Sequence, residues 1–195
     1  MPLRPPLTVD WLARPVEQVA PKLLGWRLER HWPDGRCQVG CIVEVEAYGP
    51  DDPACHGFRG PTPRNRSMFA AAGTIYVYRI YGVHHCLNLV TGQSGEASAV
   101  LIRALELDPP GQARDAAGPG KLCRAWNLDL SHDGSRLGAG ALQLLPPERP
   151  PSSPVQTQRV GIRQGAEIPW RWYLSDSPAV SRRDRQAEAR AGLGC

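Results

Sequence analysis

Residues 36–48 read RCQVGCIVEVEAY, a run in which apolar and polar side chains alternate. With a period of two, Val39, Cys41, Val43, Val45 and Ala47 fall on one face of a strand and Ile42, Glu44, Glu46 and Tyr48 on the other. Two carboxylates and a tyrosine ring therefore share a face. An isolated Glu-x-Glu is ordinarily an edge strand showing its polar side to water, and alternation does not choose between Glu44 and Glu46. The sequel changes the balance, because a basic loop and a tyrosine-rich hairpin follow at once.

Upstream, Pro15 to Leu24 predicts a short helix with Val16, Val19, Ala20 and Leu23 as its apolar stripe, Gly25 as its stop and Pro21 as an interruption. The turn His31 to Gly35 leads into the strand. Downstream, Gly49 to Asn65 is a turn-rich loop, Thr74 to Tyr81 and Val83 to Val90 are strands, and Tyr81-Gly82 is the hairpin tip between them. After a turn at Gly92 to Glu96, Ser98 to Leu105 forms an apolar strand carrying Arg103, a charge that must be paired or wetted if buried. Pro109 to Gly118 reads as a flexible connection, Pro119 to Asn127 as a helix, and Leu145 to Pro154 as a proline-rich loop. Val155 to Ile162 and Trp170 to Leu174 complete a mixed sheet.

The chain of 195 residues is 42% apolar and 22% charged. At ~150 residues per domain it predicts a single domain over 1–195, with a core from 8 to 185 and a flexible tail over 186–195. No apolar run is long enough for a transmembrane helix, and the opening MPLRPPLTVD lacks the apolar region of a secretory signal. Six cysteines form no C-x-x-C pair, which fits a reduced, cytoplasmic setting. The net charge is +4, and only two of the 23 basic residues, Lys22 and Lys121, are lysines. Arginine grips phosphate with a planar fork, so the balance points to a polyanionic partner. GFRGPTPRNRSM at 57–68 carries Arg59, Arg64 and Arg66 without an acid.

Six blocks then occur in order: EVEAYGPDDPACHG, TPRNRSMF, GTIYVYRIYGVHHCLNL, VLIRALE, GPGKLC and RVGI. Together they resemble the alkyladenine (3-methyladenine) DNA glycosylase family over most of residues 11–185. The resemblance implies an α/β chain of α+β type, folded as one domain around a curved, mainly antiparallel sheet with flanking helices and a protruding hairpin. It also implies excision of alkylated or deaminated purines from double-stranded DNA, with no cofactor, no obligate protein partner and a monomeric state.

The same resemblance assigns roles. Glu46 matches the general base that deprotonates a water attacking the sugar C1′, with Arg103 and the backbone carbonyl of Val160 holding that water. Tyr48, His56 and Tyr78 match the positions that sandwich the extruded base, where aromatic faces favour a cationic methylated purine. Asn88 matches the residue that crowds the purine 2-position. Tyr81 matches the wedge that fills the gap left in the duplex, and Thr62, Arg64, Arg66 and Lys121 match contacts to the DNA backbone. The loop between Tyr48 and Met68 is about two residues shorter than in mammalian relatives, and His84 stands beside the wedge where those have an aromatic.

Other chemistry is disfavoured. A Schiff-base mechanism needs an amine, and only Lys22 and Lys121 offer a side-chain one. GPGKLC lacks the spacing of a nucleotide P-loop. His84, His85 and Cys86 are neighbours on a strand and point to alternate faces, so no metal is expected. No general acid for the leaving base stands out, which favours cationic lesions such as 3-methyladenine and 7-methylguanine over neutral hypoxanthine or ethenoadenine. Two competing readings are a catalytically silent lesion-binding protein and a hydrolase of free purine nucleosides. The second leaves Tyr81 and the arginine loop without a role.

Overall fold

The computed structural model describes residues 9–108 and 114–193. Its strands are β1 (Arg27–His31), β2 (Cys37–Tyr48), β3 (Ile75–Ile80), β4 (His84–Val90), β5 (Ala99–Asp108), β6 (Leu142–Leu145), β7 (Pro154–Thr157) and β8 (Arg171–Leu174), with helices α1 (Val16–Leu23), α2 (Pro119–Ala125) and α3 (Arg185–Arg190). They form one eight-stranded sheet in the order β3-β4-β5-β2-β1-β6, with β8 on β2 and β7 on β8. Every pairing among these strands is antiparallel, so the mixed sheet expected from the sequence is not what forms.

β2 organises the molecule because its two edges are used differently. β5 runs along one edge from Val39 to Tyr48, while β1 takes residues 37–41 of the other edge and β8 takes Glu44 to Glu46. The β2–β5 register slips twice, leaving Val43 out of the pairing on β2 and then Arg103 out on β5. Such bulges bend a strand and re-aim its side chains. The face assignment from strict alternation is corrected accordingly. Before the slip, a Cβ on Gly40 would meet the Leu105 and Trp126 side chains at 3.1 Å, and Ile42 is fully buried in the main core. After it, Val43, Val45 and Ala47 face that core. Glu44 and Glu46 are thereby turned to the opposite side together with Arg103.

α1 packs on β2 and β5 through Val16, Val19, Ala20 and Leu23, the stripe expected from the sequence. Each fully buried Val or Leu is worth about 1.5–3 kcal/mol. The helix stops at Gly25, whose φ of +80° suits a residue without Cβ. α2 begins with Pro119 at its first turn, ends two residues before the expected Asn127, and inserts Leu122 and Cys123 with the following Trp126 into the same core.

Other boundaries differ from expectation. β1 and β6 were not foreseen: Arg27–His31 and Leu142–Leu145 are short, and Arg30 of β1 is buried despite its charge. His31 closes β1 rather than opening a turn. β7 ends at Thr157, so 158–162 is a loop and not a strand. The segment expected as a flexible tail begins as α3, with Ala187 and Glu188 buried and Asp184 capping Gln186 and Ala187. Of the expected flexible connection at 109–118, residues 109–113 lie outside the described residues, as do 1–8 and 194–195. No helix is long and apolar enough to cross a membrane among the described residues.

Candidate active site

The turned face of β2 opens into a hollow of about 250 Å³. That is below the ~300–1,000 Å³ of drug-sized pockets and suits one flat heterocycle. Glu46 forms part of its wall although none of its own surface is exposed to solvent. Three donors hold its carboxylate: the Val160 amide at 2.7 Å on Oε1, and the Tyr48 hydroxyl at 2.9 Å and the Arg103 guanidinium at 3.2 Å on Oε2. A buried carboxylate needs such compensation, since charge-assisted hydrogen bonds must offset the loss of water.

Arg103, freed from strand pairing by the bulge, lies between both carboxylates. Its Nε donates to Glu44 Oε1 at 2.9 Å while its other arm reaches Glu46. Burial works against its charge, but Glu46 and Glu44 outweigh burial and raise its pKa. Glu44 is also fully buried, yet it does not line the hollow. It accepts from Arg103, from Arg171 Nε at 2.9 Å, and from the Ser181 amide and hydroxyl at 2.6 and 2.9 Å. The two glutamates differ in access: Glu46 reaches the hollow, and Glu44 ties β2 to β8 and to the segment before α3.

Aromatic groups make the remaining walls. The rings of His56 and Tyr78 meet edge to face at 4.3 Å, and His56 Nδ1 lies 3.0 Å from the Tyr76 hydroxyl. Burial, aided by Arg64, lowers the His56 pKa, so the imidazole is neutral near pH 7. Burial and then the neighbouring Glu46 push the Tyr48 phenol well above its usual range, keeping it a proton donor to that carboxylate. Asn88 donates its side-chain amide to the carbonyls of Tyr76 and Cys86 at 3.1 and 3.3 Å, which fixes its orientation on the wall.

β3 and β4 carry the hairpin outward. Tyr81 and Gly82 at its tip both have positive φ, +52° and +74°, the pattern of a type I′ turn. The turn leaves Tyr81 85% exposed at the rim of the hollow, with Val83 71% exposed beside it. A second depression shares that rim and is lined by Thr62 and Arg64. The loop bearing them is pinned by Asn65, which accepts from Thr62 and donates to the carbonyls of His56 and Gly60. Arg66 lies exposed in the short 3-10 turn Arg66–Phe69, and Lys121 lies exposed on α2, whose Pro119 reaches the hollow.

Glu46, Arg103, Val160, Tyr48, His56, Tyr78, Asn88 and Tyr81 therefore all surround one hollow. Thr62 and Arg64 adjoin it, whereas Arg66 and Lys121 line neither depression. Sequence reasoning missed Tyr76, Gly161 and Ile162 on its wall. It also missed a fully buried ion pair behind that wall, Arg159 with Asp52. Both residues lie inside the quoted blocks, and only their burial sets them apart. Val160 donates its amide to Glu46, a contact beyond the expected carbonyl. Away from the site, Glu29, His31 and Cys37 bring ligand atoms within 4.8 Å of one another, because β1–β2 pairing places His31 opposite Cys37. That triad escaped a search for linear zinc spacing. The five described cysteines are free thiols.

Comparison with known proteins gives a concordant result. Residues 10–178 match the family described as methylpurine-DNA glycosylase (MPG). A protein of Synechococcus elongatus named "Putative 3-methyladenine DNA glycosylase" is 53% identical over 179 residues, covering 91% of this chain and 92% of its own. Proteins of the same name from Trichodesmium erythraeum and Streptomyces avermitilis are 47% identical over 192 residues and 42% identical over 202. Those alignments cover 88% and 92% of this chain and 95% and 92% of the relatives.

Proposed function

Because this chain belongs to the methylpurine-DNA glycosylase family, we propose that it excises alkylated purines from double-stranded DNA, with Glu46 activating the water that replaces the base. The observation that carries this reading is the buried Glu46 carboxylate, held by three donors on the wall of an aromatic hollow beneath an exposed tyrosine.

A base inside a duplex hides its glycosidic bond, so the nucleotide must first swing out. Tyr81 fills the vacated stack; stacking of ~1–3 kcal/mol per base offsets much of the unstacking cost. Tyr48, His56 and Tyr78 receive the base, and the fixed Asn88 side chain crowds the purine 2-position. Thr62, Arg64, Arg66 and Lys121 hold the backbone. As the C1′–N bond breaks, its electron pair leaves with the base, neutralising a cationic lesion without a general acid. The Glu46 charge stabilises the oxocarbenium ion, then takes the proton of the water whose oxygen bonds to C1′. Arg103 and the Val160 carbonyl hold that water.

The product is an abasic site. Neither of the chain's two lysines lines the hollow, which favours hydrolysis over Schiff-base chemistry. The reading includes a monomer in the cytoplasm acting without a cofactor. Its test is base release from duplex oligonucleotides carrying 3-methyladenine or hypoxanthine, with Glu46→Gln in parallel. Wild-type release, lost in a variant that still binds lesion duplex, is the expected result. Tight binding without release from either protein favours the silent lesion binder, and release from free nucleosides alone favours the nucleoside hydrolase.

A further inference from the structure

Behind the wall of the hollow, Arg159 is completely buried and makes no surface of the hollow itself. One guanidinium nitrogen donates to the Ala47 carbonyl at 2.9 Å and to Asp52; the other donates to Asp52 Oδ1 at 2.9 Å and to the Gly165 carbonyl at 3.0 Å. Its carbon lies 4.8 Å from the centroid of the Tyr48 ring and 5.7 Å from that of Trp170. Tyr48 lines the hollow and Arg159 does not.

We propose that Arg159 is a specificity-determining residue: by occupying one face of Tyr48 with a permanent positive charge, it weakens that ring's attraction for a cationic purine and shifts the pocket toward neutral ones. This rests on the proposed glycosylase reading and deepens it. An aromatic ring attracts cations through the negative potential of both faces. A guanidinium already engaged with one face draws on that potential and repels a second cation through the ring. Asp52 keeps the buried charge tolerable and, through the same fork, fixes where the charge stands.

The fork also has a geometric role. It joins the end of β2, the loop after it and the 158–165 loop, so the residue next to Val160 is clamped on three sides. Loss of the fork alone would loosen the Val160 contact to Glu46 and slow turnover for every lesion alike. Loss of the charge would instead change the preference between lesions. These two consequences separate the proposal from a merely structural role.

The test uses two lesions of one shape. In duplex DNA, 2′-fluoro-7-methylguanine carries a positive charge, and its fluorine destabilises the oxocarbenium ion so that the bond survives; 7-methyl-7-deazaguanine is its neutral counterpart. Equilibrium affinities for the two are measured by fluorescence anisotropy, below the pH at which the methylated base loses its N1 proton. In Arg159→Met/Asp52→Asn, which removes both charges and leaves no buried ion unpaired, the ratio of affinities moves toward the cationic lesion by about two- to fivefold, given ~0.5–1 kcal/mol for a cation over a ring. Arg159→Lys, which keeps the charge without the fork, retains the wild-type ratio while binding both less tightly. An unchanged ratio in a folded double variant overturns the proposal. If the double variant does not fold, a ratio shifted in Arg159→Lys as far as the predicted double-variant change does so instead. The glycosylase reading fails separately, by absence of base release from ordinary 7-methylguanine duplex, and the affinity ratio is independent of that outcome.

Discussion

Replacing Glu44 by glutamine is expected to destabilise the fold while leaving the chemistry at Glu46 available. Glu44 has no exposed surface and accepts from two arginines and from both donors of Ser181. Among the described residues, removing its charge leaves Arg103 with Glu46 as its only anionic partner and takes from Arg171 the one ion pair it makes. Breaking one side of a buried pair costs about 3–5 kcal/mol because the partner charge stays in a dry environment. Gln keeps one acceptor oxygen, which places the loss near the lower bound. For a domain of this length about 1 kcal/mol moves the melting midpoint by ~2–4 °C, so calorimetry should record a drop of roughly 6–12 °C. Single-turnover base release, measured well below the lowered midpoint, should fall by less than about tenfold, equivalent to ~1.4 kcal/mol, because Glu46 keeps its Val160 and Tyr48 donors. A midpoint within experimental error of wild type would refute the reasoning. So would abolished release in a fully folded variant, since that pattern makes Glu44 the working carboxylate.

The tip of the hairpin offers the opposite trade. Tyr81 holds φ at +52°, a left-handed conformation that costs a side-chain-bearing residue about 1–2 kcal/mol. Tyr81→Gly should therefore raise the melting midpoint by a few degrees while reducing nucleotide extrusion as reported by 2-aminopurine fluorescence; unchanged extrusion removes the wedge role. For His56, the folded pKa lies below the ordinary 6.5 because of burial and then Arg64. The unfolded chain thus takes up a proton that the fold resists, and acidification through pH 6.5 costs the wild type stability that His56→Gln does not lose. Denaturant midpoints of the two proteins should diverge on the acid side of 6.5 and run parallel above it.

The sheet was legible where one strand carries a long alternating pattern and where glycine or proline marks its ends. It was not legible in β1 and β6, whose sequences RLERH and LQLL are too short to show a period. Arg30 disguises β1 further: its buried guanidinium donates to the Trp126, His31 and Ala141 carbonyls and lies 3.1 Å from His132 Nε2. The bulge on β2 was hidden for another reason. Ile42 and Val43 are both apolar, so a change of face between them leaves no mark in the pattern, and only the partner strand reveals it.

The candidate site was legible as a set of residues but not as a network. Glu46 and Arg103 lie on neighbouring strands, yet their contact depends on Arg103 escaping the β5 ladder. Val160 reaches Glu46 from more than a hundred residues away through a loop that reads as strand. Asp52 and Arg159 are ordinary surface types whose complete burial follows from tertiary packing alone. Lys121 and Arg66 illustrate the converse, since their motif positions are clear while no side-chain hydrogen bond or ion pair among the described residues orients them.

Donors are distributed differently on the two glutamates, and the proposed general base is the one that lines the hollow. An ionised carboxylate offers about four lone-pair sites. Among the described residues Glu44 accepts from four donors, three of them on Oε1 and the Ser181 amide alone on Oε2, and it does not line the hollow. Glu46 accepts from three: Tyr48 and Arg103 fill Oε2, whereas Oε1 receives the Val160 amide alone. The remaining site is on Oε1, beside the backbone of the same residue whose carbonyl is assigned to the attacking water. A water taking that site would touch Glu46 and the Val160 peptide together, and its placement would depend on the loop that Arg159 clamps. The charge preference of the pocket and the aim of its nucleophile would then be set by one guanidinium that touches neither base nor water.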